Sequence, residues 1–220
     1  MFGLLLADAL RAPFRDPGWP RKLILGGLLG AIPGGNLVAW GYLYKVYIDA
    51  LNGVHPLELP EWSDWKRYFA AGFWLLLIVL GYLVITTVGL TAVVSLTGIT
   101  PASEDPQEQA SFLMIVLGAL AVVYSFFPIV FARFAEEQRL WTAFDPWTLL
   151  ADIRQLVRWD YVQGCFLFFG FFLAGNLLFG LLPYVGLPLF SFVLFYVLLC
   201  FAHVFGLWIG RVKEMVAKGG

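Results

Sequence analysis

Four long apolar runs dominate this sequence, and each is about as long as a helix that crosses a lipid bilayer. They cover residues 68–97, 110–132, 161–182 and 187–210. A helix needs about 20 consecutive apolar residues to span the hydrocarbon core. Only 13% of the 220 residues are charged, against about 25% in a soluble domain. The sequence therefore predicts an all-α integral membrane protein with four transmembrane helices.

A fifth apolar region, residues 23–51, is interrupted near its middle by Pro33, Gly34, Gly35 and Asn36. Proline removes a backbone donor and clashes with the preceding helical turn, and glycine is a poor helix former. At 1.5 Å per residue, each half reaches about 15–20 Å, roughly half of a bilayer. The region is predicted to form either a re-entrant helical hairpin or a single broken crossing.

The distribution of charge favours the hairpin, because Lys and Arg collect on the cytoplasmic side of membrane proteins. The link after residue 97 holds Glu104, Asp105 and Glu108 without Lys or Arg, and the link at 183–188 has no charge, so we expect both outside. With a hairpin, all 14 Lys and Arg residues and both termini are cytoplasmic. A single crossing would place four cations outside: Arg11, Arg15, Arg21 and Lys22.

Short segments rich in Pro and Trp lie between the apolar runs, at residues 14–19, 59–65 and 144–159. Asp-Pro favours a helix start, with Asp as the N-cap and Pro in the first helical position, and Trp suits the headgroup region. The segment 144–159 predicts an amphipathic interfacial helix. Its apolar face would hold Trp147, Leu150, Ile153 and Val157.

The remaining polar regions are also expected at the membrane surface. Residues 1–22 read as an amphipathic segment and residues 52–67 as an interfacial loop. The lipid-facing side of the N-terminal segment is expected to hold Phe2, Leu5, Leu6, Ala9 and Leu10.

Four motifs follow one another before residue 66: F-x-D-P-x-W, a Gly-rich apolar run ending in Ile-Pro, a Gly-Tyr pair, and L-P-E-W-x-D-W. In this order they resemble a prokaryotic membrane-protein family, domain of unknown function 4013. The resemblance implies a membrane fold in the cytoplasmic (inner) membrane of a prokaryote, and it implies no activity. The motif residues are Phe14, Asp16, Pro17, Trp19, Ile32, Pro33, Gly41, Tyr42, Leu59, Pro60, Glu61, Trp62, Asp64 and Trp65.

Ionisable residues inside a membrane are candidates for function, and His203 is the clearest one here. The other histidine, His55, lies in a loop flanked by proline. Without a partner at ligand spacing, His203 is a weak candidate for cofactor binding, and we interpret it as a neutral side chain bonded to a neighbouring helix. Ala202, Gly206 and Gly210 recur every four residues and predict a helix-packing face.

Other polar residues have structural interpretations. Lys45 and Asp49 are spaced as a helical ion pair, and Asn36 is expected to cap the hairpin turn, with ligand binding as the alternative. Three acids of one loop are expected to be solvated rather than to hold a cation: Glu58, Glu61 and Asp64. A polar path is the alternative to internal helix bonds for Thr86, Thr87, Thr91, Ser95, Gln163 and Asn176.

Catalytic and metal-binding patterns are absent from the sequence. It has no G-x-S-x-G, no phosphate-binding loop and no Cys/His cluster at metal-ligand spacing, so we expect no enzyme activity, metal or cofactor. A net charge of −1 without a long basic tract argues against a nucleic-acid partner. Cys165 and Cys200 both lie in apolar runs and are expected to be unpaired.

Two classes of function remain. The first is an accessory or scaffold subunit of a larger membrane complex, whose partners are the bilayer and other membrane subunits or a second copy of the chain. The second is a small transporter, channel or lipid-handling protein, which the broken hairpin would suit. The sequence favours the first class, because it offers few of the buried charges that ion coupling uses.

Overall fold

The computed structural model describes residues 2–98, 105–182 and 186–218, except for the side chains of Phe2 and Leu187. Within these residues the chain forms helices and no strand, which confirms the all-α class. The predicted exterior residue Glu104, residues 183–185 and the side chain of Phe2 lie outside the described part. The helices are α1 (Phe2–Arg11), a 3-10 turn (Ala12–Arg15), α2 (Trp19–Ala31), α3 (Gly35–Leu51), α4 (Trp65–Thr97), α5 (Pro106–Glu137), a second 3-10 turn (Leu140–Phe144), α6 (Pro146–Leu156), α7 (Trp159–Gly180) and α8 (Gly186–Ala217).

Helices α4, α5, α7 and α8 are long and apolar enough to cross a membrane. Their number agrees with the four runs in the sequence, but α5 and α8 continue beyond those runs, to Glu137 and Ala217. The added turns contain Glu, Lys and Arg, which are good helix formers, so the helix continues where the apolar stretch ends. The segment 144–159 was predicted as one helix, but it is interrupted. Helix α6 ends at Leu156, and Arg158 has an extended backbone before α7 begins at Trp159.

The chain divides into two compact units. One unit contains the chain up to Leu76 and from Pro128 onward, and the other contains Leu77–Phe127. In the second unit, Tyr82 and Tyr124 both pack their rings edge-on against Phe127. The first unit holds the remaining helices and all of the sequence motifs, so the candidate site lies within it.

Helix α8 is the centre of the first unit. It packs against α1, α2, α3, α6 and α7. Leu199, Val204 and Ile209 are completely buried along its length. The apolar surface of α8 is therefore covered largely by the other helices of this unit.

Helix α1 corrects one expectation. Its predicted lipid-facing side contains Leu6 and Ala9, which are buried in the protein. Cys200 donates through Sγ to the Ala9 carbonyl at 3.4 Å, and the Tyr196 hydroxyl donates to the Leu10 carbonyl. The apolar face of α1 therefore packs on α8. Amphipathicity shows that one face avoids water, but it does not distinguish lipid from a neighbouring helix.

Helices α2 and α3 form a helical hairpin against α8. The turn lies at Ile32–Gly34, and Gly34 has a φ of 83°, which a side chain would disfavour. On the α2 side, Ser191 donates to the Gly27 carbonyl at 3.0 Å. A Cβ on Gly26 would lie 2.1 Å from the Phe195 ring, so only glycine allows this approach.

Helices α3 and α4 approach each other at two glycines. A Cβ on Gly41 would lie 1.8 Å from the Tyr68 carbonyl oxygen, and one on Gly72 would lie 1.8 Å from that of Leu37. The two backbones are therefore in direct contact, as in small-residue packing of membrane helices. The Gly-Tyr motif supplies one of these two positions.

Candidate functional site

The F-x-D-P-x-W and L-P-E-W-x-D-W motifs meet around one lysine. The side chain of Lys22 is 9% exposed, and its ammonium group lies 2.8 Å from Asp16 and 2.6 Å from Glu61. It also donates to the Leu59 carbonyl at 2.8 Å. All three hydrogens of the ammonium can therefore be used within the protein.

Aromatic rings complete this site. Tyr42 stacks on Trp62 with centroids 4.0 Å apart, and its hydroxyl donates to the Pro60 carbonyl at 2.9 Å. The Trp62 indole donates to the Lys22 carbonyl at 3.2 Å. We call Asp16, Lys22, Tyr42, Glu61 and Trp62 the motif junction. It joins the start of α2, the middle of α3 and the loop before α4.

The charges of the motif junction stabilise one another. The hydrogen bond from Lys22 lowers the pKa of Asp16, and a second bond from the Gly18 backbone acts in the same direction. Burial works against the charged form of Lys22, but hydrogen bonds to Asp16 and Glu61 outweigh it and raise the Lys22 pKa. The three groups therefore form a closed ion-pair network at neutral pH.

The two Asp-Pro pairs behave differently. Asp145 is the N-cap of α6, as predicted, and accepts hydrogen bonds from the Trp147 backbone and the Thr148 hydroxyl. The prediction was wrong for Asp16, because α2 begins two residues later, at Trp19, with Gly18 as its N-cap. The carboxylate of Asp16 is occupied by the Gly18 backbone N–H and by Lys22.

The remaining motif residues surround the junction or lie at the hairpin turn. Phe14 packs edge-on against Trp19 at 4.9 Å, and Trp62 lies 5.8 Å from Trp65. The Asp64 carbonyl accepts the Tyr68 backbone N–H in the first turn of α4. Pro17 is exposed beside the junction. At the other end of the hairpin, the exposed turn contains Ile32, Pro33 and Gly34, followed by the half-buried Gly35 and Asn36.

His203 has a partner that sequence spacing could not show. Its Nε2 lies 3.4 Å from Nδ1 of His55. The ring centroids are 5.7 Å apart and the planes differ by 21°, so the nitrogens face each other edge to edge and can share one hydrogen. Asp8 lies 3.7 Å from Nε2 of His55 and pairs with Arg15 at 3.1 Å.

The predicted packing residues of α8 face α3. A Cβ on Gly206 would lie 2.5 Å from the Tyr47 carbonyl oxygen, and one on Gly210 would lie 2.4 Å from that of Leu51. Ala202 is half-buried one turn earlier. This face of α8 therefore packs against another helix of the same chain.

The polar residues of the apolar helices mostly bond to their own backbone. Thr86, Thr87, Thr91 and Ser95 donate to carbonyls four residues earlier, at 2.7–2.9 Å. Asn176 does the same to Phe172 at 2.8 Å. Lys45 pairs with Asp49. Gln163 is exposed on α7.

The sequence did not indicate the role of Lys22, which was expected only as one of the cytoplasmic cations of a re-entrant topology. Glu61 is one of three acids that were expected to be solvated. Its carboxylate instead pairs with the ammonium group of Lys22. The available signal was that a lysine at the start of an apolar run follows one carboxylate-bearing motif and precedes another. Glu58 and Asp64 are exposed. Cys165 and Cys200 are buried and are not joined by a disulfide, and no group of three metal-ligating side chains occurs among the described residues.

Comparison with known families gives one match. The model of a family described as "Protein of unknown function (DUF4013)" matches residues 24–184, more than half of the chain, which confirms the resemblance seen in the motifs. The L-P-E-W-x-D-W half of the motif junction lies inside the matched range, and Asp16 and Lys22 lie just before it. No curated protein and no solved structure matches the chain.

Proposed function

The chain belongs to the DUF4013 family of proteins of unknown function, and we propose that it is a non-enzymatic structural subunit of a larger assembly in the cytoplasmic membrane of a prokaryote. The proposal follows from how its apolar helices are packed and from how its polar groups are used.

The observation that carries this proposal is the contrast between α8 and the other membrane helices. In α8, 61% of the most apolar window is buried inside the protein, against 17% in α4 and 11% in both α5 and α7. The three poorly buried helices also have glycines on open surface: Gly89, Gly118 and Gly170 have no other part of the protein near their Cβ positions. Such positions allow a partner helix to approach closely.

The polar groups support a structural role rather than a transport path. The Thr and Ser side chains of α4 and Asn176 of α7 bond to their own helices, so each already has a hydrogen-bond partner without water or substrate. The motif junction is likewise closed upon itself, with its charges paired. We interpret it as a structural contact that holds the hairpin against the N-terminal segment and the loop before α4.

We further propose that the α2–α3 hairpin re-enters the membrane from the cytoplasmic side. Helices α2 and α3 contact each other and both pack on α8, which supports a return to the side of entry. With this topology every Lys and Arg is cytoplasmic. The second 3-10 turn and α6 would then lie at the cytoplasmic interface, where the exposed rings of Trp141, Trp147 and Trp159 suit the headgroup region.

The test is the native mass of the untagged protein, extracted from its own membrane in mild detergent, with mass spectrometry of the proteins that co-migrate. We expect an assembly that contains other membrane proteins and exceeds the 24.6 kDa chain. A chain that migrates alone would contradict the proposal. Gly170→Leu, on open surface, should reduce the assembly while the chain stays folded. Gly175→Leu is the matched control on the same helix, where a Cβ would meet the Phe190 ring at 2.5 Å and disturb the fold itself.

One observation favours a second function, transport coupled to proton movement. The His55–His203 pair joins buried α8 to the half-exposed Asp8. His203→Gln separates the two proposals: a structural subunit keeps its partners and its cellular role, whereas a proton-coupled transporter keeps its fold and loses flux.

A further inference from the structure

A groove opens beside the C-terminal end of α5, away from the motif junction. It encloses about 540 Å³ and is lined by Trp74, Phe134, Gln138, Arg139, Leu140 and Trp141. Phe134 is almost completely buried and forms the floor, whereas Trp74 and Trp141 are 44% and 79% exposed. The groove therefore combines apolar walls with one cation.

A local reversal of the backbone forms this groove. Gln138 has a φ of 54°, which a non-glycine residue seldom adopts. Its side-chain amide donates to the Ala135 carbonyl at 2.9 Å, within the last turn of α5. The chain then becomes extended at Arg139 and enters the 3-10 turn that contains Leu140 and Trp141. This reversal places a cation and an indole beside Trp74.

The acidic side chains next to the groove already have cationic partners. Glu136 pairs with Lys213 at 2.7 Å, and Arg133 pairs with Asp152 at 2.6 Å and with Glu137 at 3.4 Å. In the part of the chain that the structure describes, no carboxylate lies within ion-pair distance of the Arg139 guanidinium. The groove is therefore complementary to an anion that has an apolar body.

We propose that this groove binds one anionic phospholipid from the cytoplasmic leaflet. Arg139 binds the phosphate, because its planar guanidinium can donate two parallel hydrogen bonds to phosphate oxygens. An acyl chain covers Trp74, Phe134 and Leu140, and the Trp141 indole lies at headgroup level. A free phosphate would leave the apolar walls in water, which is why the chemistry favours a lipid. The inference does not depend on the structural-subunit proposal.

The test uses the full-length protein in mild detergent and native mass spectrometry during lipid titration. The probes are phosphatidylglycerol and phosphatidylcholine with identical acyl chains. We expect the first phosphatidylglycerol to bind about tenfold more tightly than phosphatidylcholine, because the choline cation cancels the net negative charge of phosphatidylcholine and is repelled by the Arg139 guanidinium. Arg139→Gln should remove this preference. The exposed Arg154 lies outside the groove on α6, and Arg154→Gln should retain the preference.

A second pair of variants tests the apolar wall. Trp141 and Trp147 are both 79% exposed, but only Trp141 lines the groove. Trp141→Ala should weaken the binding of both lipids, and Trp147→Ala should weaken neither. Circular dichroism in the same detergent checks that each variant is folded.

Three results would overturn the inference. The first is equal affinity for the two lipids in the wild-type protein. The second is an equal loss of preference in Arg139→Gln and Arg154→Gln, which would show a diffuse surface charge in place of a site. The third is displacement of phosphatidylglycerol by soluble glycerol phosphate at millimolar concentration, which would identify a phosphate site instead of a lipid site.

Discussion

At the scale of single residues, Lys22 is the most consequential side chain. It stands between two motif carboxylates and is buried although it is charged. Removal of one partner from such a network leaves the others without compensation. Because Glu61 remains largely exposed, water offsets part of that loss, and the cost is smaller than in a fully buried pair.

We expect Lys22→Met to lower the free energy of unfolding by about 1–3 kcal/mol. Denaturant titration in mild detergent, followed by tryptophan fluorescence, measures this change. Lys66→Met is the matched control, because Lys66 is exposed in the first turn of α4, and it should change stability by less than about 0.5 kcal/mol. Equal effects of the two substitutions would show that Lys22 acts only through net charge.

The same network predicts a pH profile. The Asp16 pKa is lowered from 3.8, so its contribution is complete above that value and is lost as pH falls through the lower folded-state pKa. The Lys22 pKa is raised from 10.5, so its contribution is complete below that value and is lost as pH rises through the higher folded-state pKa. The stability difference between wild type and Lys22→Met should therefore be constant between about pH 5 and pH 9. A difference that changes within that window would contradict the assignment of these charges.

At the scale of helices, packing depends on a few glycines that face carbonyl oxygens. Gly41 and Gly72 bring α3 onto α4, and Gly206 and Gly210 bring α8 onto α3. The sequence predicted the α8 pair from its spacing. It could not show which helix that face meets, because a four-residue repeat describes one surface and leaves the partner open.

We expect Gly41→Ala to destabilise the protein by about 1–3 kcal/mol, because its Cβ would overlap the Tyr68 carbonyl and force α3 and α4 apart. Gly30→Ala is the matched control in the same hairpin, since a Cβ there meets no other part of the protein. Alanine is the better helix former, so the control should be neutral or stabilising by up to about 1 kcal/mol. Thermal unfolding in detergent compares the two, and equal effects would contradict the close contact.

The N-cap of α6 gives a smaller effect. Asp145 accepts from the Trp147 backbone at 3.2 Å and from the Thr148 hydroxyl at 2.6 Å. We expect Asp145→Ala to cost about 1 kcal/mol of stability. Asp145→Asn, which can still cap, should recover most of it, and thermal unfolding distinguishes the two. An unchanged melting temperature in Asp145→Ala would show that tertiary contacts hold α6 without its cap.

At the scale of the whole molecule, composition and hydropathy were enough to predict the helical class and the number of candidate membrane helices. The predicted break at residues 33–36 lies close to the observed one at 32–34. The sequence could not show the long-range contacts. His55 and His203 are 148 positions apart, and Lys22 meets Glu61 across the whole hairpin, so neither pair has a local periodic signal. The expectation that Leu6 and Ala9 of α1 face lipid was wrong, because their contact with α8 depends on a partner at the opposite end of the chain.

In the proposed topology, the chain turns back at residues 32–34 and leaves the membrane on the side it entered. The most direct measurement is labelling of single cysteines in intact cells with an impermeant thiol reagent, in a background without Cys165 and Cys200. Asn52→Cys, just beyond α3, should react only after the cells are permeabilised, whereas Gln107→Cys, at the start of α5, should react in intact cells. External labelling of Asn52→Cys would show that α2 and α3 together cross the membrane once, and would contradict the re-entrant hairpin.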